Sequence, residues 1–129
     1  MQEILKKAEE LGKLIAESEA VTTAARTKEA YENDKAVQQA IFEYNAQNAA
    51  LSAEYRKETH DEEIMKAIKD RIGVLYNQIT ENPSYMAYIA AEEQVAKLMK
   101  QVNEEINFQV TGERSEACTG NCGSCGGCH

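Results

Sequence analysis

None of the first 117 residues is cysteine, and proline occurs once, at Pro83. The body therefore carries no disulfide framework and no thiols scattered through a core. No stretch approaches the roughly 20 apolar residues that a membrane-spanning helix needs, so no span is expected. Met1-Gln-Glu-Ile-Leu-Lys-Lys is amphipathic from its first residues and is not the apolar run of a signal peptide, which points to the cytoplasm. No segment alternates β-branched with polar residues as a half-buried strand would. Basic residues are the minority: Lys and Arg number 14 against 22 Asp and Glu, a formal charge of −8 with no basic cluster. Phosphate contacts need concentrated Lys and Arg, so direct nucleic-acid binding is not expected. Any action on RNA or DNA would run through a partner, and the acidity reads as a solvated helix surface.

Catalytic constellations are equally scarce. There is no phosphate-cradling glycine loop and no nucleophile motif. The acidic pairs Glu62-Glu63, Glu92-Glu93 and Glu104-Glu105 join neighbours that diverge by about 100° on a helix, so neither member shares a site with the other. No Glu-x-x-His motif of a di-iron bundle occurs. His60 falls in an inter-helix turn and reads as a turn or cap residue. The chain is predicted not to be an enzyme.

What is present divides the chain in two. The body, 1–111, is rich in Ala, Glu, Lys, Gln and Leu, all good helix formers. With 129 residues the chain is long enough to bury a core without staples. The tail, 112–129, holds five of the seven glycines and all four cysteines. Its last twelve residues read Cys118-Thr-Gly-Asn-Cys122-Gly-Ser-Cys125-Gly-Gly-Cys128-His129, a C-x3-C-x2-C-x2-C spacing. Thiolates so close together can converge on one metal centre, and the glycines between them let the backbone wrap it tightly. Disulfides confined to this segment would close tiny loops and stabilise little. Cys122, Cys125 and Cys128 match three successive ligands of a ferredoxin-type loop, with Cys118 or a partner chain supplying the fourth. An iron–sulfur cluster, [4Fe-4S] foremost, is the expected cofactor. Cys118-x3-Cys122-x2-Cys125 also has radical-SAM spacing, but nothing here builds the barrel of such enzymes. Zinc is the alternative, although its structural sites usually separate two knuckles by a dozen or more residues. A flexible reactive-thiol tail is the remaining reading. His129 is a fifth ligand candidate or simply the last residue.

Apolar residues in the body recur at helical spacing. One stripe runs Ile4, Ala8, Leu11, Ile15; a second, Val37, Ile41, Tyr44, Asn48, Leu51, Tyr55; a third, Ile64, Ile68, Ile72, Leu75, Ile79; a fourth, Val95, Met99, Val102, Ile106. Val21 to Tyr31 reads as a short helix or helical turn between the first two. Asn33-Asp34 offers an N-cap, Thr59 with Glu62 fits a capping box, Asn82-Pro83 starts a new helix, and Gly112 suits a helix C′ position. Helices are predicted near 2–18, 21–31, 34–58, 61–81 and 83–110. The fold class is all-α: an antiparallel bundle of long helices followed by an irregular Gly/Cys-rich tail. Each helix pairs an apolar with a charged face, so the helices must pack on one another. The heptad-like seam from Val37 to Tyr55 is the expected face for a homo-oligomer, with Asn48 either setting register or facing solvent.

Glu81-Asn82-Pro83-Ser84-Tyr85-Met86-Ala87-Tyr88-Ile89-Ala90-Ala91-Glu92-Glu93, then Val102-Asn103-Glu104-Glu105-Ile106 and Thr111-Gly112, resembles the second half of the YlbF/YmcA family of small bacterial helical proteins. Ile4 to Ser18 and Asp34 to Tyr44 are similar to that family as well. The resemblance spans nearly the whole chain, and its most specific part is the Asn-Pro-x-x-Tyr-x-x-Tyr block. It implies an all-helical, oligomerising, non-enzymatic regulator. It implies YmcA-like and YaaT-like protein partners, in a complex carrying iron–sulfur clusters. That complex is linked to competence, sporulation and biofilm formation and to mRNA processing by RNase Y. Not every family member has a cysteine tail, and its presence here favours the cluster-bearing branch. Two other roles fit the same residues: a metal or iron–sulfur carrier, and a zinc-binding or purely structural helical oligomer.

Overall fold

The computed structural model describes residues 1–114. Five helices occupy them: α1 (Gln2–Glu17), α2 (Glu19–Asn33), α3 (Lys35–Tyr55), α4 (Glu62–Thr80) and α5 (Pro83–Thr111). The described residues contain no strand, so the all-α expectation holds.

Local chemistry sets most of the boundaries. Asp34 caps α3, its carboxylate accepting from the amides of Ala36 and Val37. Asn82 caps α5, its Oδ1 accepting from the Tyr85 amide at 3.0 Å, and Pro83 takes the first helical position, where no donor is lost. Gly112 has φ +74 and follows the last residue of α5, the left-handed C′ position that glycine fills without a Cβ penalty. Two expectations change. The second helix runs 15 residues and begins at Glu19, because Ser18 turns extended and accepts from the Val21 amide. The cap of α4 is Asp61, accepting from Glu63 and Ile64 at 3.1 and 3.2 Å, and not Thr59. A carboxylate placed directly before the first turn satisfies the free amides and the positive helix end together.

By its contacts the chain forms two compact units, Met1–Val95 and a second beginning at Ala96. In the first, the tightest pairing is between α3 and α4. Val37 and Ala40 on α3 meet Leu75 and Ile79 on α4, with Tyr31, Ile41, Tyr44 and Tyr85 packed around them. One turn along, Arg71 donates from two nitrogens to both carboxylate oxygens of Glu43, at 2.6 and 2.7 Å. Positions rise on α3 as they fall on α4, so the pair is antiparallel. The α3–α4 connection is organised by Glu54, which is buried. One of its oxygens lies 2.8 Å from Lys57 Nζ and the other accepts from the Asp61 amide at 3.0 Å. Its carbonyl lies 2.8 Å from His60 Nδ1, so His60 serves as the turn and cap residue expected. The Lys57 ammonium first, and then the Asp61 amide, hold the Glu54 carboxyl below its ordinary range.

The stripes are used unequally. The first half of the second stripe fills the core of its own chain, and Asn48 bonds back to the Tyr44 carbonyl of its own helix. The third stripe buries Leu75 and Ile79 but leaves Ile64 exposed, with Met65 buried in its stead. The first stripe buries nothing: α1 has no buried residue.

The second unit holds the last turns of α5. The Gly112 amide donates to the Phe108 carbonyl at 2.7 Å, and the Arg114 guanidinium lies 4.1 Å from the Phe108 ring centre. Arg114 also reaches Glu105 at 3.5 Å, an exposed pair of small weight. Every helix among the described residues thus ends by Thr111. A chain ending at Gly112 is expected to keep its helical circular dichroism and cooperative melting. A loss of cooperative folding would mean that residues beyond 112 couple to the core.

Candidate protein-interaction site

Cys118, Cys122, Cys125, Cys128 and His129 lie outside the described residues. Among those described, no three His, Cys, Asp or Glu side chains gather as a metal site would require. The carboxylates shifted among them, Asp34, Glu43 and Glu54, are all held below their ordinary range by hydrogen bonds and cations. Groups stabilised as anions are structural acceptors rather than poised general acids.

The Asn-Pro-x-x-Tyr-x-x-Tyr block has a definite structural use. Asp34 Oδ2 accepts from Ser84 Oγ at 2.6 Å and from Asn82 Nδ2 at 3.2 Å, while its Oδ1 caps α3. The caps of α3 and α5 are thereby tied to each other across 48 positions of sequence. Tyr31 stacks on Tyr88 with ring centres 5.1 Å apart and planes at 6°, and meets Tyr85 at 6.0 Å and 55°. Offset or tilted aromatic pairs of this kind add to burial alone. The block is a clamp that fixes the start of α5 on the α2–α3 corner.

This clamp carries a prediction. Ser84, then Asn82 and the backbone, hold the Asp34 carboxyl below its ordinary 3.8. A carboxyl depressed by folding stabilises the fold fully above the unfolded value, and that contribution is lost as pH falls through the folded value. Asp34→Ala removes one cap and two side-chain bonds, and is expected to lower the melting temperature by roughly 5–10 °C at pH 7. The difference from wild type should shrink below about pH 4. Thermal melts at both pH values check it, and an equal difference at both would contradict the charge dependence.

Beside the clamp lies an open groove lined by Ile41, Tyr44, Asn45, Tyr76, Ile79, Thr80 and Tyr85. Its walls are aromatic and aliphatic, its polar groups are amide and hydroxyl, and it contains no charged side chain. Tyr76 in its wall is 56% exposed; outside the groove, Phe42 on α3 is 78% and Val74 on α4 48% exposed. On α1, Ile4, Leu5 and Leu14 are exposed as well. An apolar groove with an exposed aromatic side chain in its wall is the kind of feature that marks sites of protein association. Aromatic rings with polar tips suit such surfaces, because they give large contact area at low entropic cost.

The family described as "Control of competence regulator ComK, YlbF/YmcA" matches residues 4–111, which end one residue before Gly112. A UPF0342 protein of Desulfitobacterium hafniense (strain Y51) is 25% identical over 128 residues, covering 97% of this chain and 95% of the relative. No solved structure matches the chain.

Proposed function

The chain belongs to the YlbF/YmcA family of proteins that control the competence regulator ComK, and on that premise we propose that it is a non-enzymatic regulatory adaptor of the cytoplasm. In this reading the domain 1–111 is a helical scaffold that self-associates and binds YmcA-like and YaaT-like proteins through its exposed faces. The segment 112–129 is a separate metal-binding tail. Cys118, Cys122, Cys125 and Cys128 would hold an iron–sulfur cluster, [4Fe-4S] foremost, as the four thiolate donors such a cluster needs. A bound cluster would supply a site that responds to redox state or iron supply. The assembled complex would act on RNase Y-dependent mRNA processing and on developmental decisions such as competence, sporulation and biofilm formation.

One observation carries the reading. Every thiol lies beyond Gly112, whereas the five described helices end by Thr111 and leave apolar and aromatic side chains in solvent. Such a division suits a protein whose body is for docking and whose tail is for metal. The dense spacing of the four cysteines also admits zinc, which would make the protein a zinc-binding helical oligomer, and a labile cluster would make it a carrier.

The test is anaerobic purification of the full chain from cells expressing its natural partners. The adaptor reading predicts a brown protein with iron and labile sulfide in similar amounts, recovered in a stable complex. Iron without stable partners favours the carrier. Zinc alone favours the zinc oligomer and overturns the cluster.

A further inference from the structure

We propose that Arg114 is a positioning residue for the metal tail: stacked on Phe108 and paired with Glu105, its cation is held at the root of the segment that carries the four thiols. This rests on, and deepens, the reading of Cys118, Cys122, Cys125 and Cys128 as metal ligands. The thiols lie outside the described residues, of which Arg114 is the last.

The end of α5 is a built turn. Gly112, at φ +74, takes the backbone out of the helix, and its amide donates to the Phe108 carbonyl at 2.7 Å. The Glu113 amide donates to Thr111 Oγ1 at 3.2 Å, and that hydroxyl donates in turn to the Asn107 carbonyl at 2.9 Å. After this turn the Arg114 side chain reaches back to the level of residues 105 and 108. Its guanidinium lies 4.1 Å from the Phe108 ring centre, and Nη1 and Nη2 both stand 3.5 Å from Glu105 Oε2. The other oxygen of Glu105 accepts from Gln109 Nε2 at 2.8 Å, so the carboxylate is steadied from its own helix. The ion pair is weak alone. The ring face adds a contact that suits a planar guanidinium, and it holds the cation without cancelling its charge.

The sequence gives this cation its use. Arg114 is the only Lys or Arg after Lys100, and it is followed by Glu116 and the four thiols. Lys100, the nearest other cation in sequence, stands within α5 beside Glu104. Four thiolates on zinc, or on an oxidised [4Fe-4S] cluster, leave a net charge of about −2, so either metal calls for the same counter-charge. Cys118 follows Arg114 by four positions, so their Cα atoms are never more than about 14 Å apart. At about 10 Å in water, one cation favours such a site by about two- to fourfold in binding constant at low ionic strength.

The test titrates Co2+ alone into the reduced full chain under argon, in competition with a chelator, with circular dichroism as the control for folding. Arg114→Gln is expected to weaken Co2+ binding about two- to fourfold at low salt. The difference should vanish near 1 M salt, where the Debye length is about 3 Å. Arg114→Lys keeps the charge and can still sit on the ring, so it should bind as wild type does. Phe108→Leu removes the ring face, and is expected to speed tryptic cleavage after Arg114 in the metal-free chain. If Phe108→Leu disturbs helicity, the two Arg114 variants decide. Equal Co2+ affinity in wild type and Arg114→Gln at low salt overturns the role of Arg114 and leaves the metal tail standing. A loss that persists at 1 M salt, or that Arg114→Lys shares, overturns charge as the cause and the proposal with it. Unchanged cleavage in a folded Phe108→Leu overturns the clasp on the ring. A wild type that takes up no Co2+ overturns the metal tail itself, and this role with it.

Discussion

Leu75→Ala is expected to destabilise the helical body by about 3 kcal/mol and to lower its melting temperature by roughly 10–20 °C. Leu75 is 1% exposed and packs with Val37, Ala40 and Ile79 where α3 meets α4. Truncation there removes buried methyl groups and leaves a void between two helices whose caps and ion pair hold them in place. Partial collapse into the gap is therefore limited, and the cavity adds to the lost transfer energy. Only seven apolar residues are buried among those described, three of them alanines, so Leu75 is a large share of the core. Domains of this size have total stabilities of about 5–15 kcal/mol. The neighbouring Val74→Ala is the control: Val74 is 48% exposed, and its loss should stay within about 0.5 kcal/mol. Urea denaturation followed by circular dichroism measures both. Equal effects at the two positions would place the core elsewhere.

The same contrast shows what the sequence could and could not reveal. Asp34, Asn82-Pro83 and Gly112 act through bonds to residues two to four positions away, so their roles as cap, start and stop are written locally. Asp61 displaced Thr59 for an equally local reason, a carboxylate adjacent to the first turn, and Ser18 extended α2 by the same kind of bond. Periodicity correctly grouped Ile4 with Ile15 and Leu75 with Ile79, but it cannot tell what covers a stripe. Leu75 is covered by α3 and Ile4 is not covered, although the two stripes look alike in sequence. Val37 at the head of the supposed oligomer seam turned out to be fully committed to the core of its own chain. The clamp from Asp34 to Asn82 and Ser84 is not legible as a unit: each end reads as a cap, yet a bond across 48 positions has no local signature. The family resemblance did single out the Asn-Pro-x-x-Tyr-x-x-Tyr block, and the stacking of Tyr31 on Tyr88 gives that block a physical reason. The groove beside Tyr76 needed α4 and the start of α5 to be brought together, which spacing alone does not dictate.

Cys125→Ser is expected to abolish metal binding by the tail, reducing iron and labile sulfide per chain to background after anaerobic reconstitution. Cys125 is central among Cys122, Cys125 and Cys128, which share the two-residue spacing that lets three thiolates reach one cluster. Serine is nearly isosteric, but its hydroxyl stays protonated near neutral pH and is a poor ligand for iron, so the change tests the donor atom rather than the shape. Cys118 stands one residue further off, where it is either the fourth ligand or a thiol shared with a partner. Cys118→Ser should therefore weaken the cluster, or make it depend on the partner, without eliminating it. Both variants should retain the wild-type melting temperature, because the buried residues of the body all precede Gly112. Regulatory activity should fall in step with the cluster. Full iron in Cys125→Ser, or uptake of zinc alone by wild type under the same conditions, would remove the iron–sulfur assignment. A fall in iron with activity unchanged would keep the cluster and separate it from regulation, leaving the helical faces as the functional part of the molecule.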